Sequence, residues 1–113
     1  MRRRPIGTTT VKQNMVCADK PSGVRTSVPG CSFLILGVEK PECVKWERVG
    51  RAYRIVPCGH EDGAVSVYIS KGNHRITIPR DVAASMGVRA DMELTWFVAV
   101  SPTSWEIHVE ARN

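Results

Sequence analysis

The chain has 113 residues, near the common size of a single domain, and can bury one modest core. It is 42% hydrophobic and 24% charged, an ordinary globular balance, and no run approaches the eighteen or so apolar residues of a membrane span, which excludes a helical membrane protein. The net charge of +5 is uneven: residues 1–60 carry eleven Lys/Arg against four Asp/Glu, giving +7, and residues 61–113 carry five against seven, giving −2. Such a basic pole favours polyanions such as nucleic acid, the alternative being a solvated surface.

The chain opens on Met1-Arg-Arg-Arg-Pro5. Residues 1–7 read as a flexible basic arm, with Arg2, Arg3 and Arg4 suited to a phosphate backbone or a minor groove, or else as a frayed terminus. No apolar signal-peptide core follows, so a soluble, intracellular, cytoplasmic protein is expected. Residues 8–17 are β-rich by composition. Residues 19–23 (Asp-Lys-Pro-Ser-Gly) are a turn, and a second strand over 24–28 ends at Pro29. A short helix is expected between Pro29 and Gly37, unusually apolar for a surface helix at Phe33, Leu34, Ile35 and Leu36. A hairpin over 43–48 and 52–56 turns at Gly50, and residues 57–63 link to the second half.

That half opens with a strand over 64–69, where Val65, Val67 and Ile69 alternate. Lys71-Gly-Asn73 turns the chain into a strand carrying Ile76 and Ile78 on one face and stopped by Pro79. A helix over 81–86 is closed by Gly87, the residue suited to a left-handed cap. Strands over 93–100 and 105–109 follow, joined by a turn at 101–104, with a tail over 110–113.

The two halves match at a shift of fifty. Arg25-Thr-Ser-Val-Pro29 falls on Arg75-Ile-Thr-Ile-Pro79, Leu36-Gly-Val38 on Met86-Gly-Val88, Val44 on Leu94, and Trp46 on Trp96. After a two-residue slip, Tyr53-Arg-Ile55 falls on Trp105-Glu-Ile107. Self-similarity at a fixed period reads as a tandem duplication. The predicted fold is mainly β: two β-β-α-β-β repeats, residues 8–57 and 64–109, forming one domain. A single unit of about fifty residues buries too little to stand alone. Trp46, Trp96, Tyr53 and Trp105 are the expected fillers of a shared core.

Cys17, Cys31, Cys43 and Cys58 all lie in the first repeat, without a Cys-x-x-Cys pair, so buried free thiols are expected rather than a zinc knuckle, the alternative being one or two disulfides if the source is a hyperthermophile. Cys58-Gly-His60 offers two metal ligands but no second pair, and reads as a linker turn. There is no nucleophile elbow, no Cys-His catalytic motif and no glycine-rich phosphate loop. No enzymatic activity, cofactor, metal or small-molecule substrate is expected.

A strand ending Arg75-Ile-Thr-Ile-Pro79, then a helix, Gly87-Val88, an acidic turn and Glu93-Leu-Thr-Trp96 resembles the AbrB/SpoVT swapped-hairpin family. The resemblance is good over residues 64–109 and weaker, though in register, over 8–57. It implies a swapped-hairpin β-barrel made as an intrachain pseudo-dimer, as in MraZ-type tandem proteins, and a transcriptional regulator that binds double-stranded DNA. It also implies DNA contacts from the Arg opening the second strand, here Arg25 and Arg75, and from a basic residue on the first strand, here Lys12. The family's helix arginines are replaced by Phe33 and Leu34 in one repeat and Ala83 and Ala84 in the other.

The expected grip on DNA is therefore Lys71, His74, Arg75 and Arg80 around one turn, with Lys12, Lys20 and Arg25 as their counterpart. Each cation on a phosphate releases counterions. Base reading falls to Arg25 or Arg75 on guanine and Asn73 on adenine. Alternatively, Arg25 and Arg75 pair with Asp19, Asp91 or another carboxylate. The rival function is a protein-interaction module, a homo-oligomeric scaffold or antitoxin-like partner, using the apolar residues 33–36.

Overall fold

Lys71-Gly72 shows how local chemistry sets the architecture. Both residues have positive φ, 52° and 79°, as a type I′ hairpin turn requires for its twist to match the flanking strands. The turn joins two strands whose register begins at Ser70 opposite Asn73. Pro79 then ends the second of them, and the next seven residues form a helix.

The structure, a computed structural model, describes residues 2–17 and 20–112, without the side chains of residues 15–22. In chain order the elements are β1 (Arg2–Thr10), β2 (Lys12–Cys17), β3 (Lys20–Val28), α1 (Cys31–Ile35), β4 (Cys43–Val49), β5 (Ala52–Cys58), β6 (Val65–Ser70), β7 (Asn73–Ile78), α2 (Arg80–Met86), β8 (Glu93–Val100) and β9 (Trp105–Arg112). The nine strands make one antiparallel sheet in the order β1-β8-β9-β5-β4-β6-β7-β3-β2, curled into a half-barrel. Among the described residues, no helix is long and apolar enough to cross a membrane.

The two helices end alike. After α1, Gly37 at φ 76° lets the Val38 amide donate to the Phe33 carbonyl at 2.8 Å; after α2, Gly87 at φ 71° lets the Val88 amide donate to the Ala83 carbonyl at 3.0 Å. This closure pairs carbonyls that the helix itself leaves open.

Strand registers carry the same correspondence. Where β3 meets β7, Thr26 lies opposite Ile76, Arg25 opposite Thr77, and Ser27 opposite Arg75. A shift of fifty converts the second of these pairs into the third. Where β5 meets β9, Ile55 lies opposite Ile107, its partner at a shift of 52. The first strand of each half also reaches the strand that follows the helix of the other: β1 pairs with β8, and β6 with β4.

The core lies inside the curl. Val11, Val44, Leu94, Trp96, Ile107 and Val109 are fully buried, and Phe33 and Val82 reach it from the helices. Trp46 and Trp96 meet with ring centroids 6.4 Å apart and planes tilted by 54°, a favourable aromatic arrangement. The Trp96 indole N–H donates to the Thr9 hydroxyl at 2.8 Å, which meets the buried Thr26 hydroxyl at 2.7 Å. The Trp96 N–H and the Thr9 and Thr26 hydroxyls are thus satisfied beside one another.

Several expectations need correction. The N-terminal segment is not an arm: Arg2 to Pro5 pair with Val100 to Phe97 as the outer half of β1. Arg3 anchors it, bonded to Glu110 at 3.0 Å and lying 4.0 Å from the Phe97 ring centroid. Pro5 is tolerated because β1 is an edge strand, and its arginines deter edge-to-edge association. The single strand expected over 8–17 breaks at Val11, where the backbone leaves β8 and joins β3. Of the turn expected over 19–23, Asp19 lies outside the described residues and Lys20 to Gly23 belong to β3. The tail expected after residue 109 is strand as far as Arg112. Trp105 is 58% exposed and is no core filler, whereas Phe33, expected on a helix surface, is buried.

Candidate nucleic-acid interface

Alternation on β3 and β7 sorts the side chains. Thr26, Val28, Ile76 and Ile78 point into the core, so Arg25, Ser27, Arg75 and Thr77 take the other face. The register sets Arg25 and Arg75 as diagonal neighbours on adjacent strands. Lys12 lies directly opposite Arg25 on β2, which puts a third cation on that face.

These three cations line one cleft of ≈ 390 Å³, completed by Thr8, Thr9, Thr10, Thr26 and Ser27. Each of these lining residues carries a hydroxyl or a cation, groups that can meet phosphate oxygens. Arg25 is positioned without a carboxylate: its Nη1 donates to the Gln13 carbonyl and to Asn14 Oδ1, both at 3.0 Å. The Gln13 amide in turn donates to the Gly23 carbonyl. Arg75 Nε is buried and has no acceptor among the described residues. Among those residues no ion pair engages Lys12, Arg25 or Arg75. The proposed pairing of these arginines with Asp91 is absent there, and Asp19 lies outside the described residues. Like charges on one sheet face are mutually unfavourable until an anion arrives.

The remaining predicted site residues are dispersed. Lys71 and Asn73 are exposed at the β6–β7 turn. His74 begins the inward slope of β7, its ring centroid 4.9 Å from that of Phe33, with Nδ1 buried and unbonded among the described residues. Arg80 does not join them. It opens α2 beyond the far end of β7, whose six residues span about 17 Å from the turn that holds Lys71. There it borders a smaller hollow of ≈ 210 Å³ with Arg89, Gln13 and Gly23. The Lys20 side chain lies outside the described residues. Arg2, Arg3 and Arg4 lie on the outer half of β1, Arg4 being four residues from Thr8, about 13 Å.

One member of the face was missed. Tyr68 lies opposite Arg75 as Lys12 lies opposite Arg25, and it is 62% exposed. The β2–β3 hairpin is longer than the β6–β7 hairpin, so this counterpart falls at a shift of 56 rather than fifty. An exposed Tyr beside an Arg offers a hydroxyl and a ring to a nucleic-acid backbone.

The most closely paired charges lie elsewhere. Arg54 meets Glu47 at 2.7 Å and Glu106 at 2.9 Å, and the buried His108 meets Glu106 at 2.9 Å. The hydrogen bond with His108, supported by Arg54, holds the Glu106 carboxyl below its ordinary range despite partial burial. Hydrogen bonding to Glu47 and Glu106 likewise raises Arg54. Arg54 is thereby committed to structure. Among the described residues, no group of three His, Cys, Asp or Glu is placed to hold a metal ion.

Comparison with known proteins returned no match: no family model, no curated protein and no solved structure is significantly similar to this chain.

Proposed function

We propose that the chain is a cytoplasmic, double-stranded DNA-binding protein of the AbrB/SpoVT type, a transcriptional regulator in which two swapped-hairpin halves are fused. The observation that carries the reading is the cleft where Lys12, Arg25 and Arg75 stand together without a carboxylate partner among the described residues. The fused-dimer aspect is supported by registers that interconvert at a shift of fifty, and by the exchange of first strands between halves. In this reading Lys12, Arg25 and Arg75 grip phosphates, Tyr68 and the threonines add hydrogen bonds, and sequence is read by whichever arginine reaches a base edge.

A gel-shift titration against duplex DNA at two salt concentrations tests it. Three phosphate contacts correspond to roughly a 40-fold loss of affinity between ~50 and ~200 mM salt. Failure to retard duplex at ~50 mM salt would sink the proposal. Self-association is a second reading, favoured by Leu34, 74% exposed on α1. Light scattering that reads a monomer at high concentration removes it.

A further inference from the structure

Cys43 and Cys58 face each other at the open end of the β4–β5 hairpin. Directly opposed residues on antiparallel strands have Cα atoms about 4.5–5.5 Å apart, inside the roughly 4.4–6.8 Å window of a disulfide. Their side chains share one face. Cys43 is 2% exposed, and Cys58 is half-buried. Cys43 Sγ lies 3.2 Å from His60 Nδ1, and His60 Nε2 lies 3.7 Å from Glu42 Oε2. Thiol, imidazole and carboxylate therefore stand in line, as where a base draws the proton from a nucleophile and is oriented by a third group. Cys43 also pairs with Ser66 at the start of β6, so this thiol sits where the connection between the two halves both leaves and returns.

We infer that Cys43 and Cys58 form a redox pair that a peroxide converts to an intrachain disulfide, with His60 accepting the Cys43 proton. In the first step His60 Nδ1 takes the thiol proton, and the Cys43 thiolate attacks one oxygen of hydrogen peroxide. An S–O bond forms, the O–O bond breaks, and the departing hydroxide leaves as water with that proton. Cys43 is then a sulfenic acid, its sulfur oxidised by two electrons and the peroxide reduced. In the second step the Cys58 sulfur attacks Cys43: the S–S bond forms, the S–O bond breaks, and a second water leaves with the Cys58 proton. Two thiols and one hydrogen peroxide become one disulfide and two waters. The division of labour follows from the surroundings. Burial, reinforced by Glu61, holds the Cys58 thiol above its ordinary value, which suits the resolving partner better than the first attacker. The buried position of Cys43 favours a small oxidant over a bulky one.

The test uses the reduced full-length chain, treated with hydrogen peroxide at pH 7, alkylated and mapped by mass spectrometry. The expected product is a Cys43–Cys58 linkage about 2 Da lighter than the two thiols. Cys58→Ser should stop the reaction at a Cys43 sulfenic acid that dimedone traps. His60→Gln, at an exposed position, should slow linkage about tenfold or more. Exposed Cys31 serves as an internal control. Alkylation of both Cys43 and Cys58 after Cys31 has oxidised would overturn the proposal, as would linkage of either to Cys17 or Cys31. Linkage at an unchanged rate in His60→Gln overturns the proton-accepting role. The wild-type map needs no variant and decides the pairing by itself.

Discussion

Arg25 and Arg75 are diagonal neighbours, two residues from directly facing each other, and neither has a carboxylate among the described residues. That is an uncomfortable state for two guanidinium groups, relieved by a polyanion. Arg75→Ala is expected to weaken duplex binding by about 1–3 kcal/mol and to lower the salt slope by about one. Fluorescence anisotropy across a salt series measures both, and an unchanged affinity removes Arg75 from the interface. The Glu106 carboxyl behaves oppositely, since its charge is already satisfied. Its folded pKa lies below the ordinary value of 4.5, so its contribution is present above that value and is lost as the pH falls through the folded pKa. Glu106→Gln should therefore cost roughly 1–2 kcal/mol near neutral pH. The gap in melting temperature between wild type and variant should narrow on acidification below about 4.5. A constant gap from pH 7 to pH 3 would contradict this. At this scale the two arginines were legible from their repeat position. Tyr68 was not, because hairpins of different length break the constant offset.

At the scale of elements, turn chemistry made most boundaries readable. Pro29 and Pro79 end strands, and Gly37 and Gly87 close helices, where their backbone preferences place them. Lys71 and Asp91 are exceptions, non-glycine residues at φ 52° and 73°. Lys71→Asn should relieve that strain and stabilise the hairpin by up to about 1 kcal/mol, seen as a rise in melting temperature. A fall would show that the Lys71 side chain contributes more to the fold than its backbone costs. β1 was the least readable element. Three arginines and a proline carry no apolar alternation, and nothing local signals that the backbone hydrogen bonds of β8 need a partner. Arg80 was misplaced for a related reason, because sequence proximity to Lys71 hides the extended span of β7 between them.

For the whole molecule, the match at a shift of fifty was the most informative sequence signal, since strands from the two halves pair with one another and share one core. Trp46 of the first half packs against the buried Trp96 of the second. Residues 1–60 and 61–113 expressed separately should be unfolded, and should recover dispersed amide resonances only when mixed. A half that folds alone would break the shared-core account. The central claim concerns the cleft, and the most direct measurement is duplex affinity of an Arg25→Ala, Arg75→Ala double variant against wild type over a salt series. The account predicts a slope of log affinity against log salt shallower by about two, with the fold retained. An unchanged slope would place the phosphate contacts elsewhere on the molecule.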